Sequence, residues 1–164
     1  MAQEVDLGRG GYGKLRSFWV GLGLTILTAG IYGFCWYYFV NDELKDIGAE
    51  KEDPNLASSS PTNSVAALLL GFWWIIPAAL TVYNYGQRIK RAQRLVDVPR
   101  ERQINPTLAF LLYFPGMLIV VPLFVHYWYV TKHQNIALRG FAGLPLDGDL
   151  PKPEAPTFAP PAAS

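Results

Sequence analysis

Three long stretches of this chain contain no charge. No Asp, Glu, Lys or Arg occurs from Ser17 to Val40 or from Ser64 to Tyr83, and Pro106 to Val130 carries only the ionisable His126. Ion-coupled transporters and pumps use ionisable groups at depth, so this absence argues against that class. Cysteine is nearly missing too: Cys35 stands alone, which excludes an intrachain disulfide. The only histidines, His126 and His133, are seven residues apart. On a continuous helix that spacing separates them by roughly 10 Å, too far for one metal centre. No paired nucleophile and base, nucleotide loop or metal-ligand spacing emerges. The glycine-rich "GRGGYGK" near the start lacks the full phosphate-loop spacing. Composition thus points to binding rather than catalysis, with no cofactor, no metal and no nucleic-acid partner.

What is abundant is apolar surface: 51% of the 164 residues are hydrophobic and 16% are charged. Each uncharged stretch reaches the roughly 20 residues that a helix needs to cross a hydrocarbon core of about 30 Å. The expected fold is an all-α integral membrane protein with three spans, about 17–40, 64–83 and 107–130. The first run resembles an export signal at Lys14 and Arg16, but it continues through Ile31 to Val40, which fits a retained span better. Residues 1–16 read as a flexible lead and 141–164, rich in Pro and Ala, as a disordered tail. Pro77 is expected to kink the second span, and Pro115, Gly116 and Pro122 to bend the third. Asn63 or Ser64 is placed to cap the second span and Asn105 the third.

Two features suggest interaction. Gly21, Thr25, Ala29 and Gly33 recur every four positions and would form a small-residue stripe for close helix packing, against another span or another protein. After the second span a basic extension, about 84–96, carries Arg88, Lys90, Arg91 and Arg94, suited to anionic headgroups on the cytoplasmic leaflet. Nine Lys and Arg flank one side of the three expected spans and five the other. The positive-inside rule then puts the N-terminus in the cytoplasm and the C-terminal tail outside. The three runs end alike, in "CWYYFVND", "VYNYGQR" and "HYWYVTKHQN", which fits interfacial aromatic belts better than an old repeat.

The segment Thr28, Gly30, Ile31, Tyr32 and Trp36, in the pattern T-x-G-I-Y-x-x-x-W, resembles the bacterial domain-of-unknown-function 4234 family of small multi-span membrane proteins. "RIKRAQ" and "INPTLAFLL" add to the likeness. The aromatic exit departs from the family's Y-x-Q-x-x-L-N: Tyr129 and Asn135 match, while Thr131 and Gln134 replace the expected Gln and Leu. The resemblance implies a bacterial plasma-membrane protein and carries no activity with it. The expected function is that of a non-enzymatic accessory subunit or scaffold of a membrane assembly, with the lipid bilayer and other membrane helices as partners. The alternative is a small permease or lipid-handling component formed by self-association.

Overall fold

The computed structural model describes residues 3–8, 11–28, 30–70, 75–116 and 120–147. A two-stranded antiparallel sheet, β1 (Gln3–Asp6) and β2 (Tyr12–Leu15), precedes seven helices: α1 (Phe18–Leu27), α2 (Ile31–Glu50), α3 (Pro54–Ala57), α4 (Pro61–Leu70), α5 (Ile75–Leu95), α6 (Pro106–Gly116) and α7 (Val120–Phe141). The expected flexible lead is therefore largely a β-hairpin. It buries Val5, Leu7 and Leu15, the alternate residues of a period-two pattern. The expected tail lies outside the described residues beyond Asp147.

The three-span expectation is corrected. Among the described residues no helix is long and apolar enough to cross a membrane. Each apolar run is divided between two helices that run antiparallel. In the first pair, Thr25 near the end of α1 faces Gly33 near the start of α2, while at the base Arg16 bonds Glu43. In the second, Ser64 on α4 meets Arg88 on α5 at 2.8 Å. In the third, the Ala109 carbonyl on α6 meets His126 Nδ1 on α7 at 2.7 Å, and the Asn105 N–H donates to the Tyr129 hydroxyl at 2.9 Å. The short limbs α1, α4 and α6 have 10, 10 and 11 residues. At 1.5 Å per residue each rises only about 15 Å, roughly half a bilayer core. The longer limbs α2, α5 and α7 have enough residues, but their second halves are charged or polar, from Asp42, Arg88 and Lys132 onward.

Local chemistry explains the first reversal. The Thr28 hydroxyl donates to the Leu24 carbonyl (2.8 Å) and accepts the Tyr32 N–H (2.9 Å), so one side chain closes α1 and opens α2. Gly30 takes φ 93°, a left-handed conformation disfavoured for L side chains. Pro77 and Pro122 each sit third in a new helix, in the first turn where a missing N–H is tolerated, so they begin limbs rather than kink spans. Asn105 does cap α6, accepting from Thr107 (3.0 Å) and Leu108 (3.2 Å). At α4 the capping contact comes from Ser60, whose hydroxyl accepts the Asn63 N–H, and not from Asn63 or Ser64.

The long limbs run parallel, in register by their side chains. Tyr37 on α2 packs against Tyr85 on α5 (5.0 Å between centroids), and Gln134 on α7 donates to Glu43 on α2 (2.8 Å). All three pairs therefore turn their apolar ends the same way. The core sits beneath, built from Leu44, Ile47, Leu56, Tyr85, Ile89, Ile104 and Leu138, all nearly inaccessible.

Candidate functional site

The two ends of the molecule differ in kind. At the apolar end the large side chains are left uncovered: Leu27 is 82% exposed, and Ile26 and Ile31 67% each. Leu69 and Leu70 on α4, Leu111 on α6 and Phe124 and Val125 on α7 extend the same surface. A half-open cavity of about 850 Å³ lies among the three pairs, with lining from all six helices, including Leu22, Phe34, Leu69, Val82, Tyr113 and Phe124. Trp36 lines it as well, and its buried indole Nε1 has no hydrogen-bond partner among the described residues.

At the other end, polar groups are buried and closely paired. Glu43 takes a bidentate pair of bonds from Arg16 (2.6 and 2.7 Å), one from the Lys14 backbone N–H (3.1 Å) and one from Gln134 Nε2 (2.8 Å). The Arg16 backbone is held in turn by Asn135, which accepts from its N–H (3.0 Å) and donates to its carbonyl (2.8 Å). Burial raises the Glu43 carboxyl above its ordinary range, against the pull of Arg16. With four donors on two oxygens, Glu43 ties the β-hairpin to α2 and α7 and has little capacity left for a substrate. Gln93 plays a similar part, donating to the His133 carbonyl (2.8 Å) and accepting the Ile104 N–H (2.7 Å). His126 and His133 bond separate partners, and no group of His, Cys, Asp or Glu suited to a metal ion occurs among the described residues.

The residues singled out in the sequence divide accordingly. Gly21 and Thr25 lie on α1 and Gly33 on α2, so they do not form one stripe along a single helix. Ala29 lies outside the described residues. One of the three positions is nonetheless a close approach: a Cβ on Gly21 would come within 2.2 Å of the Tyr127 hydroxyl, whereas one on Gly33 would make only an ordinary contact with the Thr25 methyl at 3.7 Å. Of the residues on which the resemblance was read, Thr28 and Gly30 form the reversal, Ile31 is exposed, Tyr32 receives the Thr28 cap and Trp36 packs against Tyr127 (4.8 Å).

The basic extension separates into two kinds of cation. Arg88 is committed internally, to Asn41 (2.6 Å) and Ser64 (2.8 Å), and Arg91 to Asp53 (2.7 Å). Burial alone would raise the Asp53 carboxyl, but the bonds from Arg91 and from the Leu56 and Asn55 N–H groups hold it below the usual carboxylate range. Lys90 and Arg94 make no such bond with a described residue. They line a polar cleft with Arg100, Gln103 and Asn105. Sequence reasoning missed Arg16, Glu43, Asp53 and Gln93. The only signal for the first pair was the acidic turn directly after the first apolar run and the amides Gln134 and Asn135 ending the third.

The family described as Domain of unknown function (DUF4234) matches residues 16–138, and the chain belongs to it. Neither the curated proteins nor the solved structures yielded a match.

Proposed function

We propose that this member of the DUF4234 family is a membrane-associated binding protein, an accessory subunit or scaffold, that seats the apolar ends of its helix pairs in one leaflet. The observation that carries this reading is the collection of uncovered large apolar side chains at one end, above a base of paired polar groups. Water would disfavour such a surface, and a hydrocarbon layer would cover it. Limbs rising about 15 Å match the depth of one leaflet, so no helix need cross. The β-hairpin and the end of α7 pack together, Gly13 against Leu138, which supports a reading with both at the same membrane face. Binding rather than catalysis is favoured because Glu43, Arg16 and Gln93 are occupied by one another and by backbone groups.

A second reading, handling of a lipid, draws on the 850 Å³ cavity and the unpartnered Trp36 N–H, which could receive an apolar molecule carrying one acceptor.

The test is Leu27→Asp. The side chain is 82% exposed, so the helix pair tolerates the change, but the carboxylate must leave water on membrane entry. Flotation of the purified chain with neutral phosphatidylcholine vesicles should weaken about tenfold or more, one charged group at depth being worth at least 1.4 kcal/mol. Circular dichroism melting in nonionic detergent should stay unchanged. Undiminished flotation with an intact melt would remove the membrane reading.

A further inference from the structure

Along α5 the outward positions Leu80, Tyr83, Gln87, Lys90 and Arg94 follow a helical repeat of three and four residues, so they form one stripe. The stripe changes character in order. Leu80 is 59% exposed, Tyr83 accepts a hydrogen bond from Gln87 (2.9 Å), and Lys90 and Arg94 follow toward the base. Seven residues separate Tyr83 from Lys90, about 10 Å along the axis, comparable to the step from an interfacial aromatic ring to the headgroup layer. Helix α6 repeats the gradient in the opposite chain direction, from Asn105 at its cap to the exposed Leu108 and Leu111. The two helices pack closely where Gly86 meets Pro106: a Cβ on Gly86 would stand 3.1 Å from the Pro106 Cα, with no room to spare.

Arg100 joins from the 3-10 turn after α5, and the polar cleft bounded by these groups has a volume of about 680 Å³. The side chains of Lys90, Arg94 and Arg100 form no ion pair or hydrogen bond with any described residue, in contrast to those of Arg88, Arg91 and Arg102, which are all engaged. Three unneutralised cations facing one concave space repel one another. An anion placed among them relieves that repulsion, and the amide of Gln103 or Asn105 could add a donor.

We propose that this cleft binds the phosphate of an anionic phospholipid, with the acyl chains lying toward Leu80, Leu108 and Leu111. The site rests on the one-leaflet reading, because only that placement brings the cleft to headgroup level. It narrows the basic extension to Lys90 and Arg94 and adds Arg100 from a separate segment.

The full chain in nonionic detergent would be titrated with dioctanoyl phosphatidylglycerol, followed by calorimetry, with dioctanoyl phosphatidylcholine and inorganic phosphate as parallel arms. Lys90→Gln, Arg94→Gln and Arg100→Gln should each weaken phosphatidylglycerol binding about fivefold, the worth of one cation near an anionic surface. Lys51→Gln, which removes the same charge elsewhere, should leave it unchanged. Equal weakening by Lys51→Gln would reduce the site to net charge. Inorganic phosphate binding as tightly as the lipid would make it a free-anion site, and indifference to all three cleft substitutions would remove it altogether. Flotation on neutral vesicles, which the cleft variants should not alter, separates failure of this site from failure of the membrane reading.

Discussion

Glu43→Ala is expected to destabilise the fold by about 3–5 kcal/mol, the loss found when one member of a buried ion pair is removed. The Arg16 and Glu43 side chains are only 12% and 6% exposed, so water cannot easily replace the missing carboxylate. The substitution also strands Gln134 Nε2 and the Lys14 N–H, both of which donate to Glu43. The damage should extend beyond one helix, since this carboxylate holds the β-hairpin to α2 and α7. Removing both charges in Arg16→Met with Glu43→Leu should recover much of the loss, because the desolvation of two ions disappears together with their attraction. Thermal unfolding in nonionic detergent measures both. A Glu43→Ala shift below about 1 kcal/mol would show that the pair is not a principal tie.

The second large effect is expected at Gly30. Apart from its chain neighbours and the adjoining helix backbone, no heavy atom of the described residues lies within 4 Å of where its Cβ would stand, so a side chain would meet open space. Any loss on substitution must therefore come from the backbone, which has φ 93°. Gly30→Val should cost about 1–3 kcal/mol, since a β-branched residue is strongly disfavoured at positive φ. Gly30→Asn should cost less, as Asn enters the left-handed region more readily. Urea unfolding of the two variants provides the comparison. Equal stability of Val and Gly here would mean that the reversal between α1 and α2 does not depend on this conformation.

The apolar runs and their helical character were legible from the sequence, as was the Asn105 cap. Direction was not. A run from Ser17 to Val40 has the same hydropathy whether it continues straight or returns on itself, because apolar content does not encode where a chain reverses. The deciding features were small: the Thr28 hydroxyl with a partner on each side, and the backbone freedom of Gly30. Pro77 and Pro122 read as kinks only while the helix was assumed to continue, and as first-turn residues once it is known to restart. The β-hairpin was hidden by its glycines and mixed charge, although Val5 and Leu7 already alternate with acidic residues. The polar base was obscure for another reason. Glu43 becomes buried only when Arg16 and Gln134, 27 and 91 residues away, fold over it. Likewise, charge counting could not tell Arg88 and Arg91, which are committed internally, from Lys90 and Arg94.

Depth in the bilayer tests the central claim most directly. A single cysteine at position 27, in a Cys35→Ser background, would carry a fluorophore quenched by phospholipids brominated at successive acyl positions. The one-leaflet account predicts strongest quenching by bromines deep in the acyl chains and none from an aqueous quencher on either face, because α1 rises about 15 Å against a core of about 30 Å. Quenching of position 27 by an aqueous quencher confined to the face opposite the β-hairpin would contradict it, as would insensitivity to every brominated lipid.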